Sequence, residues 1–292
     1  FDVSNLLAYY DFNEDATFTY DPLDFVQNTD SGSTGQDLVQ GKAWQFNGGT
    51  NYSGSTYIDT NSILWSENGD RTLSVWIYHD TTNAGSNPEY GLFDAQDTGL
   101  VGITNGEVRV APCFPCDGNY VYADTDGTLT DDAWNHVVLT QSSSDRTVWI
   151  NGIEQGVSAQ SSPNGEWKTI RFDNADSDSL FMGHTTSTGF GWFNGKFDQV
   201  LIYDAELTST QIGDLWNSGD GDMTPDTTNL LAHYDFEEID GLTLVDQSGN
   251  DNHGTGNSGI TEGTGKMNVL ATVGVANPDA WITGIDGAAF DT

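Results

Sequence analysis

The chain has 292 residues, enough for one large β domain or two smaller ones. Its 44 Asp and Glu against 8 Lys and Arg give a formal net charge of −36, which excludes nucleic-acid binding through phosphate contacts and disfavours anionic membranes. Self-repulsion of this size must be screened, so a cation-rich medium, bound Ca²⁺, or both are expected.

The predicted elements begin with Leu6–Phe12, LLAYYDF, a short alternating strand. KAWQFN at Lys42–Asn47 and the segment Thr56–Asp59 follow. Asn51-Tyr-Ser53 is a glycosylation sequon and marks a surface only. Leu73–His79 places Leu73, Val75 and Ile77 on one face and Trp76 and Tyr78 on the other. Cys113-Phe-Pro-Cys116 holds both cysteines of the chain. Without a βαβ frame this C-x-x-C reads as a structural disulfide at a hairpin tip, or as half of a metal site that another chain completes. Asn135–Thr140 and Thr147–Ile150 are further strands, and Asn151-Gly152 is the commonest hairpin signal. Leu180–Gly183 and Lys196–Tyr203 come last. Nine Trp, 11 Tyr and 14 Phe are spread among turn residues, which excludes an acidic disordered chain and predicts an all-β fold of two packed antiparallel sheets.

One short helix is expected near residues 208–216. Thr208-Ser-Thr-Gln211 has the form of a capping box, and Ile212, Leu215 and Trp216 supply one apolar stripe. A polar, acidic linker at 218–229 then leads to LLAHYDF at Leu230–Phe236, the opening heptapeptide repeated 224 positions on (230 − 6). Residues 1–217 are expected to form one sandwich. Residues 230–292 are too few to rebuild it, so they read as an incomplete second repeat or as a tail that donates a strand to a neighbouring molecule. The opening Phe1 in place of Met reads as a processed or excised form, and no apolar run approaches the roughly 20 residues of a membrane span.

Tyr10–Asn13, Gly41–Phe46, Leu73–Tyr78, Trp134–Thr140, Trp149–Gly152 and Gly195–Leu207 occur in an order that resembles the laminin-G-like domains of the concanavalin A-like lectin and glucanase superfamily. Asp246–Gly254 is similar to the D-x-S-G-N signature of the same modules. The resemblance implies a two-sheet jelly roll over about Asn5–Trp216. It also implies a structural Ca²⁺ that ties the first strand to the last, at the positions of Asp11, Asn13 and Asp198. The superfamily holds both enzymes and binders, so function must come from the site.

No E-x-D-x-x-E strand is present for glycoside hydrolysis, and the five His make no H-E-x-x-H pair. Asp220-Gly-Asp222 with Asp226 could begin a cation loop, but a solvated linker explains it as well. Trp192 and Phe193, and Tyr120 and Tyr122, abut loops and are the aromatic candidates for stacking on a sugar. The sequence therefore predicts a non-catalytic extracellular or cell-surface module for adhesion or carbohydrate binding, assisted by Ca²⁺. The alternative is a structural subunit of a surface layer, sheath or filament whose partners are neighbouring copies. A hydrolase or lyase is the third reading.

Overall fold

The computed structural model describes residues 38–48, 56–60, 69–81, 89–95, 99–116, 119–142, 145–160, 180–184, 192–237, 239–257 and 259–270. The heptapeptide Leu6–Phe12, with Asp11, and also Asn13 and the sequon at Asn51 lie outside them. Residues 40–267 form one compact unit. Residues 1–39 and 268–292 form a second, of which only 38, 39 and 268–270 are described.

In chain order the strands are β1 (Leu38–Phe46), β2 (Ile58–Asp59), β3 (Arg71–His79), β4 (Glu89–Asp94), β5 (Leu100–Thr104), β6 (Glu107–Cys116), β7 (Asn119–Thr128), β8 (Trp134–Gln141), β9 (Arg146–Ile150), β10 (Ile153–Glu154), β11 (Val157–Gln160), β12 (Phe181–Met182) and β13 (Gly195–Tyr203). Helix α1 (Ser209–Trp216) follows, and then β14 (Leu230–Tyr234), β15 (Ile239–Asp240), β16 (Thr243–Leu244), β17 (Gly254–Gly256) and β18 (Thr261–Leu270). Among the described residues they build two antiparallel sheets. The first has the order β10-β9-β8-β3-β13-β1-β18, with β14 also on β13; the second has the order β11-β7-β6-β5-β4-β12-β2-β17-β16-β15. This is the two-layered sandwich the sequence predicts.

The alternation of β3 and β13 explains the layering. Leu73, Val75, Ile77, Phe197, Val200 and Ile202 point into the main core, where they meet Ile58, Phe93, Val101, Val110 and Met182 of the second sheet. The opposite face of the first sheet carries Val138, Leu201 and Tyr203, and α1 covers it with Ile212 and Leu215. Burial of each such side chain stabilises by about 1.5–3 kcal/mol, which is why an eight-residue helix can persist here. Its start is fixed by the capping box: Thr208 Oγ1 accepts from Gln211 N, and Gln211 Oε1 accepts from Thr208 N. Its end is Asn217 in the left-handed region, φ 44°.

Two turns need special backbone. Asn151 and Gly152, φ 53° and 75°, close the β9–β10 hairpin with both central residues left-handed. Gly195 has φ 146°, and a Cβ there would collide with the Tyr78 carbonyl.

The expected boundary at 217 does not separate compact units. Residues 218–229 and 230–267 belong to the same unit as residues 40–217. Strand β13 shows how this comes about. One edge pairs with β3 along its length. The other edge is shared end to end: β1 takes Gly195–Phe197, and β14 takes Val200–Tyr203. Between the two partners lie Asp198 and Gln199, the latter with φ 45°. The second heptapeptide is thus a working strand of the sandwich, with Ala232, Tyr234 and Phe236 fully buried in the main core. Further along, β17 pairs with β2 and extends the second sheet. Among the described residues of the tail, β14 and β17 pair within their own chain.

Candidate functional site

The second sheet has one face on the core and one face turned away from it. Register identifies the residues on the outward face, because directly paired residues share a side. Asp59 pairs with Phe181, Phe181 with Asp94, Asp94 with Leu100, and Leu100 with Ala111. Their sequence neighbours Ile58, Met182, Phe93, Val101 and Val110 lie in the core. A transverse row of alternating carboxylate and aromatic side chains therefore crosses β2, β12 and β4.

An aromatic cluster stands at the Phe181 end of this row. The Tyr57 ring lies 5.8 Å from Phe181, 5.2 Å from His184 and 6.0 Å from Trp192, centroid to centroid. His184 packs edge-on against Trp192 at 4.1 Å. Tyr57 and Phe181 are half-buried and keep part of each ring accessible. Backbone bonds fix Tyr57: its N–H donates to Asn257 Oδ1 at 3.0 Å, and Asn257 N–H donates to the Tyr57 carbonyl at 3.0 Å. Burial pushes His184 down to about 4, so its imidazole is neutral at pH 7. Its Nδ1 has no hydrogen-bond partner among the described residues.

The other end of the face is charged. Arg109 grips Asp124 through Nε and an η nitrogen, at 2.6 and 2.8 Å. The same guanidinium lies 4.1 Å from the centroid of the Tyr122 ring, and Tyr122 packs on Leu100 and Ala111. Arg109 is thereby held in a plane set by two partners.

These positions correct part of the sequence reading. Phe193 is fully buried and Trp192 is 6% exposed, so neither offers the open stacking face expected of a loop aromatic. Phe193 instead packs against Phe46 and Phe197. Trp192 backs the cluster whose accessible rings are Tyr57 and Phe181. Tyr122 lies on the outward face as a half-buried residue. Tyr120 sits on β7, and Cys113 and Cys116 on β6; Cys116 pairs with Asn119 at the tip of that hairpin, and the three side chains lie outside the described residues. Sequence reasoning missed Tyr57, Phe181 and His184. The only signal was aromatic content beside Gly and Thr, because two-residue strands show no periodicity.

The second candidate site lies where β1 and β14 meet on β13. Asp198 is completely buried. Its Oδ2 accepts from Lys266 N at 2.6 Å and from Met267 N at 3.0 Å, while Oδ1 has no partner among the described residues. Burial, with the Glu237 carboxylate adding to it, pushes the Asp198 carboxyl up to about 7 against those N–H donors. Glu237 is raised as well, chiefly by burial, and its Oε1 accepts from Lys42 N at 2.8 Å.

The repeat explains this arrangement. Positions 235 and 237 are 224 residues beyond Asp11 and Asn13 (11 + 224, 13 + 224), so Asp235 and Glu237 are their counterparts in the repeat. Glu237 comes beside Asp198, whereas Asp235 Oδ1 accepts from Glu237 N at 3.1 Å. Among the described residues, no three His, Cys, Asp or Glu side chains converge as a metal centre. An orphaned buried carboxylate oxygen next to a second carboxylate fits two ligands of a hard cation. Asp222 and Asp226 are used differently: each Oδ1 accepts a backbone N–H two residues on, from Thr224 and Thr228, and so closes its own turn.

Comparison with known proteins gives a consistent fold. The Laminin_G_3 family model, described as concanavalin A-like lectin/glucanases superfamily, matches residues 52–213, more than half of the chain. A search of curated proteins found no match. Among solved structures, a candidate carbohydrate binding protein from Bacteroides ovatus aligns at 18% identity and TM-score 0.55, covering 79% of this chain and 62% of that one. A heptameric SAP-like pentraxin from Limulus polyphemus aligns at 14% identity and TM-score 0.49, covering 79% and 98%. The sialidase CBM40 of Ruminococcus gnavus, bound to α2,3-sialyllactose, aligns at 16% identity and TM-score 0.42, covering 60% and 96%.

Proposed function

Because the chain belongs to the concanavalin A-like lectin/glucanase superfamily, we propose that it is a non-catalytic carbohydrate-binding module of the cell surface or extracellular space. The observation that carries this reading is the Tyr57–Phe181 pair: two half-buried rings 5.8 Å apart, backed by Trp192 and His184 and flanked by Asp59 on the same strand face. A pyranose has an apolar face that stacks on such rings and hydroxyls that bond to carboxylate and imidazole groups. The Bacteroides ovatus protein that shares the fold is described as carbohydrate-binding, which supports the same reading.

Calcium enters this proposal as a structural partner. Asp198 and Glu237, with backbone carbonyls nearby, would hold the ion where β1, β13 and β14 meet. Its charge would neutralise two carboxylates that burial otherwise penalises. Adhesion to glycan-coated surfaces would follow from the same binding face.

The test is a glycan array probed with the wild-type chain, Tyr57→Ala and Phe181→Ala. Each substitution should weaken binding at least tenfold, about 1.4 kcal/mol, with cooperative unfolding retained. Undiminished glycan binding by both variants would exclude this face.

A further inference from the structure

We propose that a cavity on the outer face of the first sheet binds a primary alkylammonium group, supplied by a free amine or by a lysine side chain. The inference is independent of glycan binding, because Asp59 and Phe181 stand on the second sheet.

The cavity holds about 370 Å³. That lies within the range of small-molecule pockets, roughly 300–1,000 Å³, and is far more than a bare ion fills. Its walls come from three places in the chain. Tyr203 ends β13, Asp214 and Leu215 belong to α1, and Asp222 and Asp226 come from the segment after the helix. Leu207 and Leu215 are part of the apolar cluster beneath α1 and give the cavity a hydrocarbon wall. Three carboxylates line it, and none of the lining residues is Lys, Arg or His. Charge therefore selects a cation, and the leucines select one with an apolar stem.

Carboxylates alone would make only a solvated acidic surface. Tyr203 is the observation that turns this surface into a site. Its side chain is buried, at 1% exposure, and yet it lines the cavity. Its phenol has no hydrogen-bond partner among the described residues. Burial first, then the nearby Asp226 and Asp222 carboxylates, push its ionisation upward, so it keeps its proton. A buried phenol ordinarily finds a partner. An ammonium N–H can donate to the phenol oxygen and to the carboxylates at once, which satisfies all of them.

The wall that carries Asp222 is held in place before any ligand arrives. Asn217 Nδ2 donates to the Gly221 carbonyl at 2.9 Å, and Gly221 N donates to the Trp216 carbonyl at 3.2 Å. Gln199 Nε2 donates to the Asp222 carbonyl at 2.6 Å. Thr224 N and Oγ1 both donate to Asp222 Oδ1, at 2.8 and 3.3 Å, so Oδ2 is the oxygen left for a ligand.

The experiment is calorimetric titration of the full chain with 1,4-diaminobutane and with Nα-acetyl-lysine methylamide. Salt at about 0.15 M screens diffuse attraction to the acidic surface beyond ~8 Å. The variants are Tyr203→Phe, Asp222→Asn, the double variant Asp222→Asn/Asp226→Asn, and Asp126→Asn, which removes one exposed charge on β7 of the second sheet. Asn keeps the Oδ1 that closes each turn, and circular dichroism melts check that each variant folds. The expected result is one saturable site per chain. Affinity should fall at least tenfold in the double variant and about threefold in Tyr203→Phe, and stay within about twofold in Asp126→Asn. The amine that binds more tightly identifies the source of the ammonium group. Three results overturn the proposal: no saturable binding of either amine, an equal loss in Asp126→Asn and Asp222→Asn, or undiminished binding by Tyr203→Phe.

Discussion

Replacing Asp198 by Asn tests the buried carboxylate directly. The Asn Oδ1 can keep the two backbone donors at Lys266 and Met267, while its amide replaces the orphaned oxygen. The Asp198 carboxyl sits at about 7 in the folded chain, against an ordinary value of 3.8. A raised acid binds its proton more tightly when folded, so between these values the native state holds more protons than the unfolded chain. The contribution of Asp198 to wild-type stability therefore falls as pH rises from about 4 and levels off above about 7. At ~1.4 kcal/mol per pH unit the full drop is about 4 kcal/mol. In Asp198→Asn the drop is absent. In chelator, the variant should match the wild type at pH 4 and exceed it by about 4 kcal/mol at pH 8. That corresponds to roughly 8–16 °C in Tm for a unit of this size. Urea melts across this pH range supply the measurement. Adding Ca²⁺ at pH 8 should raise the wild-type midpoint and leave the variant unmoved, if the ion is held as proposed. A stability difference that stays flat from pH 4 to pH 8 in chelator would refute the account of Asp198 as a buried charge.

Arg109→Ala leaves Asp124, with only 5% of its side chain exposed, without its bidentate partner. Urea denaturation should register a loss of about 3–5 kcal/mol. Phe236→Ala empties a fully buried ring site beside Trp44 and should cost about 3–5 kcal/mol in the same single transition as the rest of residues 40–267. A separate, unshifted main transition would show that the tail folds apart. Thr208→Ala removes the capping box of α1 and should cost about 1 kcal/mol, seen as a modest Tm decrease without change in glycan binding.

Much of the sandwich was legible because its central strands carry their own pattern. Leu73–His79 and Lys196–Tyr203 read as strands, and Thr208–Gln211 reads as a helix start, from local chemistry alone. The tail was harder. Nothing local in Leu230–Phe236 says that it pairs with Val200–Tyr203 of its own chain, since a separate repeat would carry the same residues. The resemblance named Asp198, and the second copy of the heptapeptide brings Glu237 beside it, whereas Asp11 and Asn13 lie outside the described residues. Trp192 and Phe193 looked like loop residues because Gly189 and Gly191 precede them. Their burial is set by Phe46, Phe197, Tyr57 and His184, which lie elsewhere in sequence. Phe181 and Tyr57 escaped notice for the converse reason, because their exposure depends on a two-residue pairing between β12 and β2.

The divided edge of β13 has a consequence for biosynthesis. Tyr203 closes β13, but β14 and β17, which cover β13 and β2, end only at Tyr234 and Gly256. The last of these lies 53 residues later (256 − 203). At ribosomal speeds of ~5–20 residues per second, the nascent chain waits ~3–10 s with two open sheet margins. During that interval an emerging polypeptide of this kind is at its most vulnerable to misassembly, and holdase chaperones that shield bare strands would find their client there.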